Sequence, residues 1–127
     1  MRVEFINDVK QSITAVIKQG VRSVNCDGYC RYRSGEVKCA IGHLITDEHY
    51  TEGLEGKGLF SGNKVHKALN ASLGYELSHR EVSYLRRIQS AHDDSDSSDF
   101  VSEFKERIRN YIDNGLLPKE LRELVIQ

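Results

Sequence analysis

An excess of charge of either sign is the first thing this sequence lacks. Its 127 residues hold 18 Lys and Arg against 19 Asp and Glu, a formal net charge of -1. That balance excludes a protein held to nucleic acid or membrane by bulk charge. Long hydrophobic runs are missing too: stretches such as Leu44-Ile45 and Leu116-Leu117 fall far short of the ~20 residues that span a bilayer. The opening residues carry Glu4 and Asp8 where a secretory signal needs an uninterrupted apolar core, so a cytosolic chain is expected. Cysteine is scarce and odd in number. Cys26, Cys30 and Cys39 cannot all pair, and in a reducing compartment they read as free thiols, metal ligands or a nucleophile.

What is present is the composition of a folded domain. With 39% hydrophobic and 29% charged residues the chain is no disordered tail, and its length fits one domain over 1–127. Size scaling gives roughly 7,000 Å² of folded surface against roughly 21,000 Å² unfolded, enough burial to fold without disulfides or metal.

Ile6, Val9, Ile13, Val16 and Ile17 recur at helical spacing, and Gly20 supplies a left-handed stop. Residues 29–33 and 36–40 then read as two strands around a Ser34-Gly35 turn, which pairs Arg33 with Glu36, Tyr32 with Val37, Arg31 with Lys38 and Cys30 with Cys39. A Gly-rich stretch over 46–62 has no periodicity and reads as a structured loop. Asn63 and Gly74 bracket a second helix. Ser78 and Glu81 form a capping box, Leu77 and Val82 a hydrophobic staple, and Val82, Leu85 and Ile88 the stripe of a third helix. The acidic run 93–99 breaks that periodicity and opens a fourth helix with Phe100, Phe104, Ile108, Tyr111 and Ile112 on its core face; Pro118 introduces a last short one. Four or five helices around one hairpin make an α+β, mainly helical domain.

Two chemistries lie in the cysteine region. Cys26, Cys30, Cys39 and His43 bring four soft ligands within eighteen residues, a set able to bind zinc; the alternative is that Cys30 and Cys39 are small buried residues. A thiol nucleophile is the enzymatic reading, with Cys30 or Cys39 deprotonated by His43 or His92 and the His oriented by Asp47 or Asp93. The stretch from Gly53 to Gly58 fails as a phosphate loop, since two residues separate its glycines where four are needed and Gly58 follows Lys57. Lys57 and Lys64 still lead into a helix N-terminus that accepts anions. The acidic run is no calcium loop, because a twelve-residue loop would end on Phe104 or Lys105.

Charge is segregated along the chain. Residues 57–87 hold Lys57, Lys64, Lys67, Arg80, Arg86 and Arg87 against Glu76 and Glu81, whereas 47–55 hold Asp47, Glu48, Glu52 and Glu55 with no Lys or Arg. A helix over 78–91 bearing His79, Arg80, Ser83, Arg86 and Arg87 permits a DNA-binding reading. The hairpin is the better recognition surface: Arg31, Arg33 and Lys38 lie beside Tyr29 and Tyr32, joining guanidinium forks for anions to rings that stack.

Cys30-Arg31-Tyr32-Arg33, Gly35, Cys39-Ala40-Ile41-Gly42-His43-Leu44-Ile45, Asp47, Tyr50 and Glu55-Gly56, with Ile88-Gln89 and His92-Asp93 downstream, resemble the signature of a family of small proteins encoded by tailed bacteriophages and prophages. The resemblance covers residues 25–93. It implies an accessory protein made in the host bacterial cytoplasm that binds a host factor or a defence signal, and it implies no catalytic mechanism. Members often carry Cys or a small residue where His43 stands, and Cys26 lies outside the motif.

The resulting expectation is a non-enzymatic binding protein for a phosphate-bearing small molecule or a host protein. Arg31, Tyr32 and Arg33 face the ligand, walled by Asp47, Tyr50, Glu55 and Gly56 and by His92 and Asp93. No cofactor is expected, with zinc on Cys26, Cys30, Cys39 and His43 as the alternative. The competing readings are a thiol- or zinc-dependent enzyme and DNA binding through 78–91; self-association as a homo-oligomer is left open.

Overall fold

Helix α1, Val3–Gln19, buries Phe5, Ile6, Val9, Ile13 and Val16 along the stripe its periodicity predicts, and it stops at Gly20, whose φ of 80° is left-handed. The computed structural model describes residues 2–25, 29–95 and 98–126. Its accessible surface is 6947 Å², as expected for the chain's size.

The hairpin consists of β1, Arg33–Ser34, and β2, Val37–Lys38, antiparallel with Arg33 opposite Lys38 and Ser34 opposite Val37. The turn is therefore Gly35-Glu36 and the expected register is corrected. A tight two-residue turn that follows strand twist needs positive φ at its first central residue. Gly35 takes it, at 63°, where Ser34 would be strained. Cys39 consequently lies beside Tyr32, donating its N–H to the Tyr32 carbonyl at 3.2 Å, and Cys30 bridges Val24 instead.

Two residues per strand cannot hold a hairpin, and side chains supply what neighbouring strands would. On the β2 edge the Gln19 amide donates to the Lys38 carbonyl at 2.8 Å and accepts the Lys38 N–H at 2.9 Å. On the β1 side the Glu55 carboxylate accepts the N–H of Tyr32 at 2.9 Å and of Arg33 at 3.1 Å. Ser12 on α1 donates to the Ala40 carbonyl at 2.6 Å, tying the hairpin's exit to the core.

After the hairpin come two single 3-10 turns, Gly42–Leu44 and Glu52–Leu54, within an otherwise irregular loop. Helix α2, Lys64–Leu73, begins at Asn63, whose side chain accepts from the His66 N–H, and ends at left-handed Gly74. Helix α3, His79–Asp94, carries both halves of the Ser78–Glu81 capping box. It runs into the acidic stretch instead of breaking at Asp93, because Ala91 and His92 are buried and hold its last turn in the core. Helix α4, Phe100–Asp113, buries Phe100, Phe104, Ile108 and Ile112, with Tyr111 half-buried at the edge. The last short helix is a 3-10 segment, Lys119–Leu124, after Pro118.

The fold is mainly helical with one antiparallel hairpin, the expected α+β class. Helix α1 packs between the 3-10 turn Gly42–Leu44 and the final 3-10 segment, and α3 packs on α4. Among the described residues no helix is long and apolar enough to cross a membrane.

Gly42 passes so close to the hairpin that an added Cβ would lie 2.0 Å from the Tyr32 carbonyl oxygen. Gly42→Ala should therefore lower stability by about 3 kcal/mol or more, since backbone must move to relieve the clash. Denaturant melts measure it; a loss below about 1 kcal/mol would contradict so tight an approach.

Candidate functional site

The bend at Tyr32 points two successive N–H groups at Glu55, and the loop is built around that carboxylate. Tyr50 donates its hydroxyl to Glu55 at 2.6 Å, and the Arg31 guanidinium lies 3.7 Å from it. With its side chain only 10% exposed, Glu55 joins hairpin and loop from inside. Gly56 follows in the left-handed region, turning the chain so that the Lys57 carbonyl receives the Tyr32 hydroxyl.

The hairpin arginines reach the same loop. Arg31 contacts both carboxylate oxygens of Glu52 at 2.9 Å, and its Nε donates to the Arg33 carbonyl. Arg33 pairs with Asp47 at 2.6 Å, donates to the Ile45 carbonyl at 2.7 Å and stacks over the Tyr50 ring at 4.5 Å. Asp47 and Glu52 are largely exposed, so these ion pairs contribute about 0.2–1 kcal/mol each. Seven residues nominated from sequence thus converge: Arg31, Tyr32, Arg33, Asp47, Tyr50, Glu55 and Gly56. They satisfy one another first, and Tyr32 is buried.

His92 and Asp93 form a second center at the end of α3. The fully buried His92 ring accepts the Ser23 N–H on Nε2 at 3.0 Å, which leaves its proton on Nδ1, donated to Asp93 Oδ1 at 2.8 Å. Gln89 donates to the same oxygen at 2.7 Å while accepting the Ile41 N–H, and Arg22 holds the Asp93 carbonyl. The Cys30 sulfur completes the set, within 4.8 Å of the His92 and Asp93 ligand atoms.

Cys30, His92 and Asp93 are consequently the group whose ligand atoms lie within 4.8 Å of one another among the described residues. This differs from the cysteine set expected from spacing. Cys39 is buried in the core with its sulfur accepting the Gly42 N–H, His43 sits on the following 3-10 turn, and Cys26 lies outside the described residues. The observed trio is also poor in free lone pairs for zinc, because both His92 nitrogens are engaged. The thiols are poor nucleophiles. Burial, reinforced by the charge and hydrogen bond of Asp93, pushes the Cys30 pKa up to about 11, and burial pushes Cys39 higher. Burial, with Lys38 and His92 adding smaller effects, lowers the His43 pKa to about 4.

Between the two centers opens a cleft of about 580 Å³, within the ~300–1,000 Å³ range of small-molecule sites. Arg31 and Tyr32 of the hairpin, residues 55–60 of the loop, and the Ser83, Arg86, Arg87, Gln89, Ser90 and Asp93 side of α3 line it. Arg33 and Tyr50 lie outside it, on a second hollow of about 430 Å³. The α3 residues are the part that hairpin-centred reasoning missed. Their signal was in the sequence: Ser83, Arg86, Arg87 and Ser90 follow i, i+3, i+4, i+7, one face of a helix.

The charges of the cleft are unequally satisfied. Its acids, Glu55 and Asp93, each take internal donors. Of its bases, Arg86 stacks over the Phe60 ring at 4.6 Å, Arg87 donates only to the Leu116 carbonyl and Lys57 only to the Gly53 carbonyl. Among the described residues none of these three has a carboxylate partner, and the hydroxyls of Ser83 and Ser90 have no hydrogen bond. Comparison with models of protein families, with curated proteins and with solved structures finds no match to this chain.

Two outcomes follow from these networks. Glu55→Ala strands two backbone N–H groups, Tyr50 and Arg31, and should cost about 2–3 kcal/mol, with Glu55→Gln retaining part of it; equal stability of both variants and the wild type would rule out the joint. His43 has a folded pKa of about 4, below its usual ~6.5, so the unfolded chain binds the proton first. Stability should therefore fall as pH drops from about 6.5 towards 4, and thermal melts of His43→Leu across that window should show a shallower fall.

Proposed function

We propose that the chain is a non-enzymatic binding protein whose cleft between hairpin, Gly-rich loop and α3 takes a small phosphate-bearing molecule. One observation carries this reading. Among the described residues, Arg86, Arg87 and Lys57 border a cavity of ligand size and have no carboxylate partner, and the neighbouring Ser83 and Ser90 hydroxyls make no hydrogen bond. Guanidinium forks and hydroxyl donors are the groups that hold phosphoryl oxygens.

In this reading Arg31 and Arg33 position the loop through Glu52 and Asp47, and the anion contacts come from α3 and Lys57. Burial and the neighbouring Asp93 carboxylate raise the Cys30 pKa to about 11, and both nitrogens of the nearby His92 are already engaged, which favours binding over thiol catalysis. The cationic side of α3 forms the floor of a walled cleft, whereas a helix entering a DNA major groove needs an unobstructed face, which favours a small ligand over nucleic acid. In the setting implied by the phage resemblance, such a protein withholds a phosphorylated metabolite or signal inside the bacterial host.

The test is calorimetric titration of the full chain with inorganic pyrophosphate and with ribose 5-phosphate in low-salt buffer. Binding with Kd below about 1 mM is expected, weakening as salt is raised. Arg86→Gln combined with Arg87→Gln should weaken it at least ~10-fold, about 1.4 kcal/mol, at unchanged melting temperature. Lys67→Gln, in the same basic segment but away from the cleft, should leave it unaltered. Silence with both ligands, or equal binding by the double variant, overturns the reading.

A further inference from the structure

The cleft has two chemically different ends. Arg86 and Arg87 lie on α3 with Ser83 one turn before them and Ser90 one turn after. Seven residues separate Arg86 from Asp93, which is about 10 Å of helical rise. The cationic end and the carboxylate are thus set apart along one wall.

Asp93 is not spent. Its carboxylate takes His92 at 2.8 Å and Gln89 at 2.7 Å, with the Cys30 sulfur within 4.8 Å. An ionised carboxylate offers about four acceptor positions, and 37% of this side chain is exposed while it lines the cleft. Both side chains that donate to it are neutral, since the Ser23 N–H on Nε2 fixes the single-proton form of His92. With the Arg22 guanidinium held on the Asp93 main-chain carbonyl, the side-chain carboxylate is left able to accept one more hydrogen bond from the cleft. Ile41 and Leu59 add apolar wall for the body of a ligand.

Resting on the reading that Arg86, Arg87 and Lys57 take a phosphate, we infer that the ligand is a nucleoside monophosphate whose base amino group donates to Asp93. The phosphoryl group lies at the arginines, the sugar beside the Ser90 hydroxyl, and the base edge at the end of α3. This polarity excludes a ligand carrying phosphate at both ends. Asp93 is then the specificity residue, and the Gln89 and His92 hydrogen bonds hold it in place.

Three probes separate this inference from the phosphate reading beneath it: adenosine 5′-monophosphate, purine riboside 5′-monophosphate, which differs only in lacking the amino group, and ribose 5-phosphate. With the wild-type chain, adenosine monophosphate should bind at least ~10-fold tighter than purine riboside monophosphate, the effect of a hydrogen bond to a charged acceptor. Asp93→Asn, which keeps an acceptor for His92, should shrink that preference below about threefold and leave ribose 5-phosphate binding unchanged. The ligand comparison needs no variant and stands even if Asp93→Asn folds poorly. Equal binding of the two purine nucleotides, or adenosine monophosphate binding no tighter than ribose 5-phosphate, overturns the inference while leaving the phosphate site intact. Failure of all three, and of inorganic pyrophosphate, to bind overturns both.

Discussion

The hairpin edges govern the rest of this structure. A ribbon of two residues per strand has outer N–H and C=O groups to satisfy, and sheets usually solve this by adding strands. Here Gln19 occupies one edge with an amide that both donates and accepts, and Glu55 occupies the other side with a carboxylate that takes two successive N–H groups. The first comes from the end of α1 and the second from the Gly-rich loop, so the same bonds that complete the ribbon fix its place on the core and fix the loop to it. The close passage of Gly42 behind the Tyr32 carbonyl locks the remaining side.

That solution redistributes charge. Three acids of 47–55 are drawn to the hairpin, where Arg31 and Arg33 meet Glu52 and Asp47 and Glu55 turns inward, while Glu48 pairs with His49. None of them reaches the bases of α3. Arg86, Arg87 and Lys57 are consequently left facing a cavity, and a chain of net charge -1 acquires a local cationic surface. Near-neutrality of the whole says little about any one face, because opposite charges cancel in the sum long before they meet in space.

At the opposite end of the cleft, helix α3 is stabilised by contacts made beyond its own sequence. His92 accepts a backbone N–H from the segment after α1, packs edge-on against Phe100 at 5.6 Å between ring centers, and orients Asp93. Gln89 donates to that carboxylate from within α3, and Cys30 lies beside it from the segment before β1. The arrangement holds an acid at the rim of the cleft and raises the pKa of the neighbouring thiol.

Periodicity and capping determined the elements. The stripe of α1, the Asn63 and Ser78 caps, the left-handed stops at Gly20 and Gly74 and the Phe100–Phe104–Ile108–Ile112 face are local patterns, and local backbone chemistry is sufficient to produce them. The motif residues around Glu55 were also legible as a group, although the sequence is silent on their partners. Three matters required the fold. The turn slipped to Gly35-Glu36 because φ at one residue outweighs strand pattern. Cys30 joined His92 and Asp93, more than sixty residues away in the chain, instead of Cys39. The bases of α3 became the floor of a cleft because the loop's acids were taken elsewhere. Spacing along a chain reports which side chains share an element, and only packing decides which charges find each other and which are left to bind something else.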